Sequence, residues 1–491
     1  MRTVISRSDI ETIAAELGLR CTADDVDQLE RALPAYLGDI DATAELWETI
    51  SGELPVLPER EFRRPEPHED PLNAWTVLCS LRTMETGPLA GYTAAVKDNI
   101  AVAGLPLTVG SRMLDGYLAE FDAVAVARML AAGVTIAGIT RCEDFCLSGG
   151  SHTGFGGPVR NPIDPARTTG GSSSGSAAAV ASGIVDLALG TDQGGSVRIP
   201  SSFCGIAGLK PTWERIPYSG AMSLAPGVDH IGPMARTVAE LRGFFAVLAG
   251  ESPGSGDAAL SAEGLRIGML AEGFGRAYGE PQVDEVVRNA ALQLTSAGVA
   301  VTDVSVPMHR AGPAIWTAVG LAGLRQGLLC GDPWGMKLEA PYPLTLLKTF
   351  REHRARKGFD ASLRTRQFLI AAEFTQRLHG IEAAATSQCA AAALRARYDA
   401  ALAECDMLAM PTTPHTAALL PNPDDLRASN FAAESMAANT CPFNLTHHPA
   451  LSVPCGFVDG RPVGLMLVGR HGDEELLFRV GAVVERQAGS R

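Results

Sequence analysis

The chain has no uninterrupted apolar run of about 18 residues, the length that crosses a bilayer, and its start, Met1-Arg2-Thr3-Val4-Ile5-Ser6-Arg7-Ser8-Asp9, carries no signal-peptide core. We therefore expect no membrane partner and a cytoplasmic location. Positive charge is scarce: 41 Lys and Arg stand against 55 Asp and Glu, a formal net charge of -14. Phosphate backbones are bound mainly through Lys and Arg, so no nucleic-acid partner is expected. The 10 cysteines contain no Cys-x-x-Cys pair and suggest no disulfide framework. They read as reduced core residues. Cys142 and Cys146 would share one helical face, but a second ligand pair at zinc spacing is missing. No His-Glu-x-x-His occurs and no Gly-x-Ser-x-Gly surrounds Ser196. The 10 histidines, including the adjacent His447 and His448, form no clear metal set. Gly205-Ile206-Ala207-Gly208-Leu209-Lys210-Pro211-Thr212 mimics a phosphate loop, but its Gly-Lys-Ser/Thr order is broken. We expect no metal and no cofactor.

What is present is ordinary globular composition, 46% apolar and 20% charged, over 491 residues. Single cores stop growing near about 250 to 300 residues, so two or three structural units are expected. The first fifty residues repeat apolar side chains at helical spacing, as in Ile10-Glu11-Thr12-Ile13-Ala14-Ala15-Glu16-Leu17. A Pro- and charge-rich stretch at 55–71 then reads as an extended linker. From 91 to about 250, strand-like runs (92–96, 134–139, 185–189) alternate with helix-like ones (123–132, 176–182), the pattern of an α/β sheet with helices against it. A Gly/Ser-rich segment at 250–256 precedes another strand-like run at 265–270 and could mark entry into a second lobe. Residues 280–405 read as largely helical, and strands return at 406–411 and 463–468.

The chemistry-bearing residues are two serines and a lysine. Ser172 lies in Gly170-Gly171-Ser172-Ser173-Ser174-Gly175-Ser176, which by composition alone is a flexible linker. Its flanks argue otherwise, with Pro162 and Pro165 before it and a helix-forming Ala177-Ala178-Ala179-Val180-Ala181 after it. A glycine-rich turn that opens a helix presents backbone N–H groups to an anion. Ser196 follows Gln193-Gly194-Gly195, where glycines let consecutive N–H groups converge as an oxyanion hole requires; a tight turn with a buried serine fits as well. A lysine accepts a proton only when neutral, and burial is what disfavours its charged form. Lys97 follows the apolar Ala94-Ala95-Val96, but local sequence favours a surface lysine paired with Asp98.

Together these segments resemble the amidase signature family. The stretches 170–176, 190–200 and 204–212 follow the signature in order and spacing, and Lys97 in Val96-Lys97-Asp98-Asn99 falls where the family has its base. The resemblance runs from about Pro71 to the C-terminus, including Met410-Pro411-Thr412 and Pro462-Val463-Gly464-Leu465. Within the family the chain looks most like bacterial amidases associated with nitrile metabolism, often enantioselective and dimeric. Pro71-Leu72-Asn73-Ala74-Trp75, Cys142-Glu143-Asp144, Gly157-Pro158-Val159-Arg160-Asn161-Pro162 and Ala438-Asn439-Thr440 carry that likeness, as does the helical N-terminal extension, which contributes to dimerisation in that group.

The resemblance implies an α/β amidase-signature fold, a large mixed β-sheet covered by helices. It implies a catalytic domain at 89–258 and 366–491, a small inserted lobe at 259–365, and an N-terminal helical unit with linker at 1–88. Ser196 would be the nucleophile, Ser172 the bridging serine, held through a cis peptide at Gly171–Ser172, and Lys97 the base. The N–H groups of Gln193, Gly194, Gly195 and Ser196 would form the oxyanion hole; Cys146, Leu147, Gly149, Asp192 and Gln193 would contact a small-molecule amide, hydrolysed to a carboxylate and ammonia. A homodimer is expected. Residues near 439–444, Trp316 and Trp334 could shape the pocket, and Arg198 suits a structural ion pair better than a substrate carboxylate. Two residues depart from the family pattern: Ser174 and Glu214 stand where glycine is usual. Two other readings remain, the glutaminase component of a tRNA-dependent amidotransferase and a catalytically idle binding scaffold.

Overall fold

Two runs, Thr93–Lys97 and Leu187–Thr191, lack polar–apolar alternation, the mark of strands covered on both faces. They are buried almost throughout and lie parallel, side by side, within one large sheet. The computed structural model of the protein describes residues 5–51, 59–252, 261–331 and 342–489. Trp334 lies outside the described residues.

Two compact units divide at residues 58 and 59. The first contains the helices Arg7–Glu16 and Ala23–Ser51. Ser6 starts the shorter one by a reciprocal cap: its hydroxyl accepts the Asp9 N–H (3.2 Å) and the Asp9 carboxylate accepts the Ser6 N–H (2.9 Å). Ile10, Ala14 and Val26 are its buried apolar residues, while Tyr36, Ile40 and Trp47 are exposed.

The second unit is an α/β fold on a 12-stranded mixed sheet. Its strands are β1 (Phe62–Arg63), β2 (Trp75–Leu81), β3 (Thr93–Lys97), β4 (Thr135–Thr140), β5 (Leu187–Thr191), β6 (Ala207–Lys210), β7 (Ile231–Ala235), β8 (Arg266–Leu270), β9 (Ala300–Val304), β10 (Met407–Pro411), β11 (Ala450–Val458) and β12 (Arg461–Val468). Their order is β1-β2-β4-β3-β5-β7-β6-β11-β12-β10-β8-β9. β4, β3 and β5 run parallel, as do β10, β8 and β9, and the remaining neighbours are antiparallel. Residues 59–88, read from sequence as part of an N-terminal unit and linker, thus supply β1 and β2, and the 259–365 stretch supplies β8 and β9 to the far edge of the same sheet. Among the described residues no helix is long and apolar enough to cross a membrane.

The helix Ser174–Ala181 packs against β3, β4 and β5 through small side chains, with Ala177, Ala178 and Ala179 fully buried. Close approach is required here, because a Cβ at Gly175 would lie 2.2 Å from the Ala74 carbonyl oxygen. Ser176 adds polar stitches, donating to Leu189 O (2.9 Å) and pairing with Thr140 Oγ1 (2.8 Å). The start of this helix is thereby fixed over the carboxyl ends of the parallel strands, where open α/β sheets place their ligands.

Candidate active site

β3 ends on Lys97 and its parallel neighbour β5 ends on Thr191, so the two side chains meet. Lys97 Nζ donates to Thr191 Oγ1 (2.8 Å) and to Ser172 Oγ (2.8 Å), and all three residues are fully buried. Asn99 holds Thr191 from the other side, Nδ2 to Oγ1 at 3.1 Å. The local expectation of a surface lysine paired with Asp98 is overturned, because successive strand residues point to opposite faces. The Asp98 carboxylate instead accepts from the Thr108 N–H (2.7 Å), the Thr108 hydroxyl and Thr76 Oγ1 (3.1 Å). Burial raises this carboxyl to about 6, although the hydrogen bonds from Thr108 and Thr76 pull the other way.

The Gly170–Ser176 segment has linker composition but is buried throughout. Its Gly171–Ser172 peptide is cis, as the family likeness implied. Ser173 ties it down twice, donating through its hydroxyl to Thr191 O (3.2 Å) and through its N–H to Ser196 O (3.2 Å). The second bond joins the two serine turns. Ser196 Oγ itself has no hydrogen-bond partner among the described residues.

The carbonyls of the Ser196 turn are each fixed from outside. Gln193 O accepts from Trp316 Nε1 (2.6 Å), Gly194 O from Thr440 Oγ1 (2.6 Å) and Gly195 O from the Ile199 N–H (2.7 Å). In a trans peptide the N–H points away from the C=O, so the Gly194 and Ser196 N–H groups turn away from Trp316 and Ile199. Those two, with that of Gln193, have no acceptor among the described residues. Gly195 differs from the expectation: its N–H donates to Asp192 Oδ1 (2.8 Å) and is therefore taken up inside the turn. Glycine is required at 195, where φ is 136° and a Cβ would lie 2.3 Å from Thr440 Oγ1.

Asp192 is also placed differently from its expected role as a substrate contact. Its carboxylate lies beneath the turn in a fully buried ion pair with Arg198, Oδ1 to Nη2 at 2.8 Å and Oδ2 to Nε at 3.0 Å. Arg198 also donates to Thr440 O (2.9 Å) and Asn444 Oδ1 (2.7 Å), which makes it the structural ion pair expected from sequence. Burial alone would raise the Asp192 carboxyl, but the Arg198 charge and hydrogen bonds from Arg198 and Asn444 hold it well below the usual carboxylate range.

A cavity of about 400 Å³ opens over this floor. Gly171, Gln193, Gly194 and Ser196 line it, together with the expected Cys146, Leu147 and Gly149; Asp192 and Gly195 do not. Of the 439–444 stretch, Cys441 lines it, while Asn439 and Asn444 brace backbone behind it. The remaining wall is mainly apolar, with Leu224, Trp316, Leu321, Leu324 and Phe368. Cys146 and Cys142 sit together beside Lys97. Burial opposes ionisation of both, yet the hydrogen bond from Cys142 and the Lys97 charge lower the Cys146 thiol, whereas burial and Cys146 push Cys142 up.

One polar end of the cavity had no sequence signal. Arg364 and Glu434 line it, 3.3 Å apart. Arg364 stacks over the Phe368 ring (4.4 Å) and donates to Asn430, but its buried Nε has no partner among the described residues. Both residues lie in helices without a motif, and only the tertiary fold brings them to the serines.

Comparison with known proteins accords with this architecture. The Amidase family model matches residues 76–478. An enantioselective amidase of Rhodococcus rhodochrous is 39% identical over 478 residues, covering 94% of this chain and 92% of that protein. A glutamyl-tRNA(Gln) amidotransferase subunit of Methanosarcina mazei is 33% identical over 419 residues, 82% of this chain and 85% of that one. The solved structure of the native peptide amidase from Stenotrophomonas maltophilia superposes with a TM-score of 0.66 at 29% identity, covering 82% of this chain and 84% of that one. With the family's motifs carried on the family's fold across most of its length, the chain belongs to the amidase signature family, hydrolases that act on amide C–N bonds.

Proposed function

We propose that the protein hydrolyses a carboxamide to a carboxylate and ammonia through an acyl-enzyme on Ser196. The observation that carries this reading is the buried 2.8 Å bond between Lys97 Nζ and Ser172 Oγ, under a cavity that Ser196 lines. As the free amine, Lys97 takes the Ser172 proton while Ser172 takes the proton of Ser196, whose oxygen attacks the amide carbon. Catalytic hydrogen bonds commonly tighten only with substrate in place, and the unpartnered Ser196 hydroxyl is free to turn toward Ser172. The oxyanion that forms meets the N–H groups of Gly194 and Ser196, with that of Gln193 beside them; one such donor is worth about 3 to 4 kcal/mol. Collapse expels ammonia, protonated back through Ser172, and water then cleaves the ester by the reverse relay.

The cavity fits a small-molecule amide with a largely apolar acyl group, since sites of roughly 300 to 1,000 Å³ with apolar walls suit such ligands. The 10 unpaired cysteines agree with a reducing, cytoplasmic setting. The proposal includes a homodimer formed through the N-terminal helices, whose exposed Tyr36, Ile40 and Trp47 offer apolar surface; light scattering on the purified chain reads this directly.

Ammonia release from a panel of aryl, alkyl and amino-acid amides, with glutamine included, tests the reaction. Turnover of simple amides is expected, with kcat lowered about a thousandfold or more in Ser196→Ala, Ser172→Ala and Lys97→Ala. Full activity in Ser196→Ala would sink the mechanism. Release from glutamine alone would make the chain the glutaminase component of a larger amidotransferase, and no release together with no labelling by a fluorophosphonate would make it a scaffold.

A further inference from the structure

Asp399, His448 and His471 are far apart in sequence, yet each brings one potential ligand atom within 4.8 Å of the other two. Asp399 lies near the end of the helix Leu363–Glu404, His448 just before β11, and His471 just after β12. His448 is buried, and the other two are exposed. None of the three lines the cavity above Ser196.

Thr446 contacts both imidazoles. Thr446 Oγ1 lies 3.2 Å from Pro442 O and 3.0 Å from His448 Nδ1, and its one proton goes to one of them. With that proton directed to Pro442 O, His448 donates its Nδ1–H to Thr446 Oγ1, and Nε2 of the neutral ring carries a lone pair. His448 Nε2 faces Asp399 Oδ1 at 3.0 Å. In the tautomer with the lone pair on Nε2, a cation between that nitrogen and the carboxylate oxygen relieves their repulsion. His471 Nε2 donates to Thr446 O at 2.9 Å, a carbonyl that only accepts, which leaves the lone pair of a neutral ring on Nδ1. The two rings stack with centroids 4.3 Å apart. A proton would satisfy the Asp399–His448 pair but gives the second imidazole no role. Metal-ligating histidines are held by a hydrogen bond through their other ring nitrogen, and Thr446 supplies that bond to both rings.

We propose that Asp399, His448 and His471 bind one divalent transition-metal ion of the zinc type, with a fourth position open to water. Two neutral imidazoles and a carboxylate suit such an ion. Bonds of about 2.0 to 2.2 Å require the exposed Asp399 and His471 side chains to draw in toward the buried His448. The positive charge of Arg395 acts on His448 and opposes a dication, so the site is weaker than a closed four-ligand zinc site. The ion would clip the end of the Leu363–Glu404 helix to the connections flanking β11 and β12. Thr446 directly follows the short helix Pro442–Leu445, whose Asn444 donates to Asp192 O (2.8 Å) and Oδ1 (2.9 Å). Occupancy would therefore steady the segment that braces the Ser196 turn, without entering the reaction.

The test uses the full chain, stripped with a chelator and titrated with Zn²⁺ by calorimetry, with thermal unfolding read in parallel. One ion per chain and a raised melting temperature are expected, and His471→Ala and Asp399→Asn should each weaken binding by about tenfold or more. Both positions are exposed, and two variants are used so that failure of one to fold leaves the test standing. Substitution with Co²⁺ separates this site from the exposed Cys330 and Cys389, since nitrogen and oxygen ligands give no thiolate-to-cobalt charge-transfer band. Absence of saturable binding, unchanged affinity in both variants, or a thiolate-dominated cobalt spectrum would each overturn the proposal. Amide hydrolysis by the metal-free variants is expected to persist, which keeps this result separate from that of the serine mechanism.

Discussion

Trp316 Nε1 donates to the Gln193 carbonyl at 2.6 Å, so an indole on the cavity wall orients the peptide whose N–H belongs to Gly194. Trp316→Phe keeps the ring and removes the bond. The Gly194 N–H is then free to rotate away from the developing oxyanion. We expect kcat to fall about 10- to 100-fold, a part of the roughly 100- to 1,000-fold loss when an oxyanion donor is removed outright. KM should change far less, and steady-state kinetics on one amide separates the two parameters.

The Asp192–Arg198 pair carries the Ser196 turn from below, and both side chains are fully buried. Asp192→Asn preserves shape but leaves the Arg198 guanidinium as an uncompensated buried charge. Breaking such a pair from one side destabilises by about 3 to 5 kcal/mol. The urea midpoint should drop accordingly, and kcat should fall with it because the Gly195 N–H loses a charged acceptor. Unchanged stability would mean that Arg198 is neutralised by some other group.

The pH dependence of stability follows from Asp98. Its folded carboxyl is raised to about 6 by burial, above the ordinary value near 3.9. The folded protein thus holds this proton more tightly than the unfolded chain does. The contribution is fully present below about pH 4 and is lost as pH rises through about 6, amounting to about 2 to 3 kcal/mol. Asp98→Asn mimics the protonated form and cannot titrate. Unfolding free energies of the two proteins should therefore diverge between pH 4 and pH 7, with the wild type losing ground; parallel curves would contradict this assignment.

Much of the sheet was legible because central strands and their helices write strong local patterns. The expected strand at 134–139 lies within one residue of β4, and the expected helix at 123–132 brackets Val124–Ala131. β9 escaped notice inside a stretch read as helical, because this edge strand is half exposed and its Ala-Val-Thr-Asp-Val run has no buried stripe. At the site, the family resemblance pointed to Lys97, Ser172 and Ser196, but their surroundings depend on residues distant in the chain. The burial of Lys97 comes from packing under the Ser172 turn, and the capture of the Gly195 N–H comes from an Asp192 carboxylate turned inward by Arg198 and Asn444. Trp316, Thr440 and Arg364 reach the serines only through tertiary folding, so local composition says nothing of them.

Glu214 adopts φ 60°, the left-handed region that suits glycine, which is the residue usual there in the family. Its side chain is exposed. An L-residue in this conformation bears about 1 to 2 kcal/mol of strain, offset in part by the greater backbone entropy that glycine loses on folding. Glu214→Gly should therefore stabilise the fold by about 0.5 to 1 kcal/mol, measured by urea denaturation. Destabilisation would show that the carboxylate makes a contribution larger than the strain.

Arg364 Nε is buried at the cavity end without a partner among the described residues. A buried donor left unsatisfied costs about 1 to 3 kcal/mol, and a substrate that places an acceptor there recovers part of it. Amides whose acyl group carries a distal carboxylate or ketone should therefore show lower KM than their hydrocarbon counterparts of equal length. Arg364→Met removes the donor and keeps an extended apolar side chain over Phe368. The preference should then reverse, with KM rising about tenfold for the acceptor-bearing amide and falling for the hydrocarbon one. Because Arg364 lies away from the Lys97–Ser172 bond, kcat for the hydrocarbon amide should stay near the wild-type value, and a large loss of kcat on both substrates would instead mark Arg364 as a support of the catalytic floor.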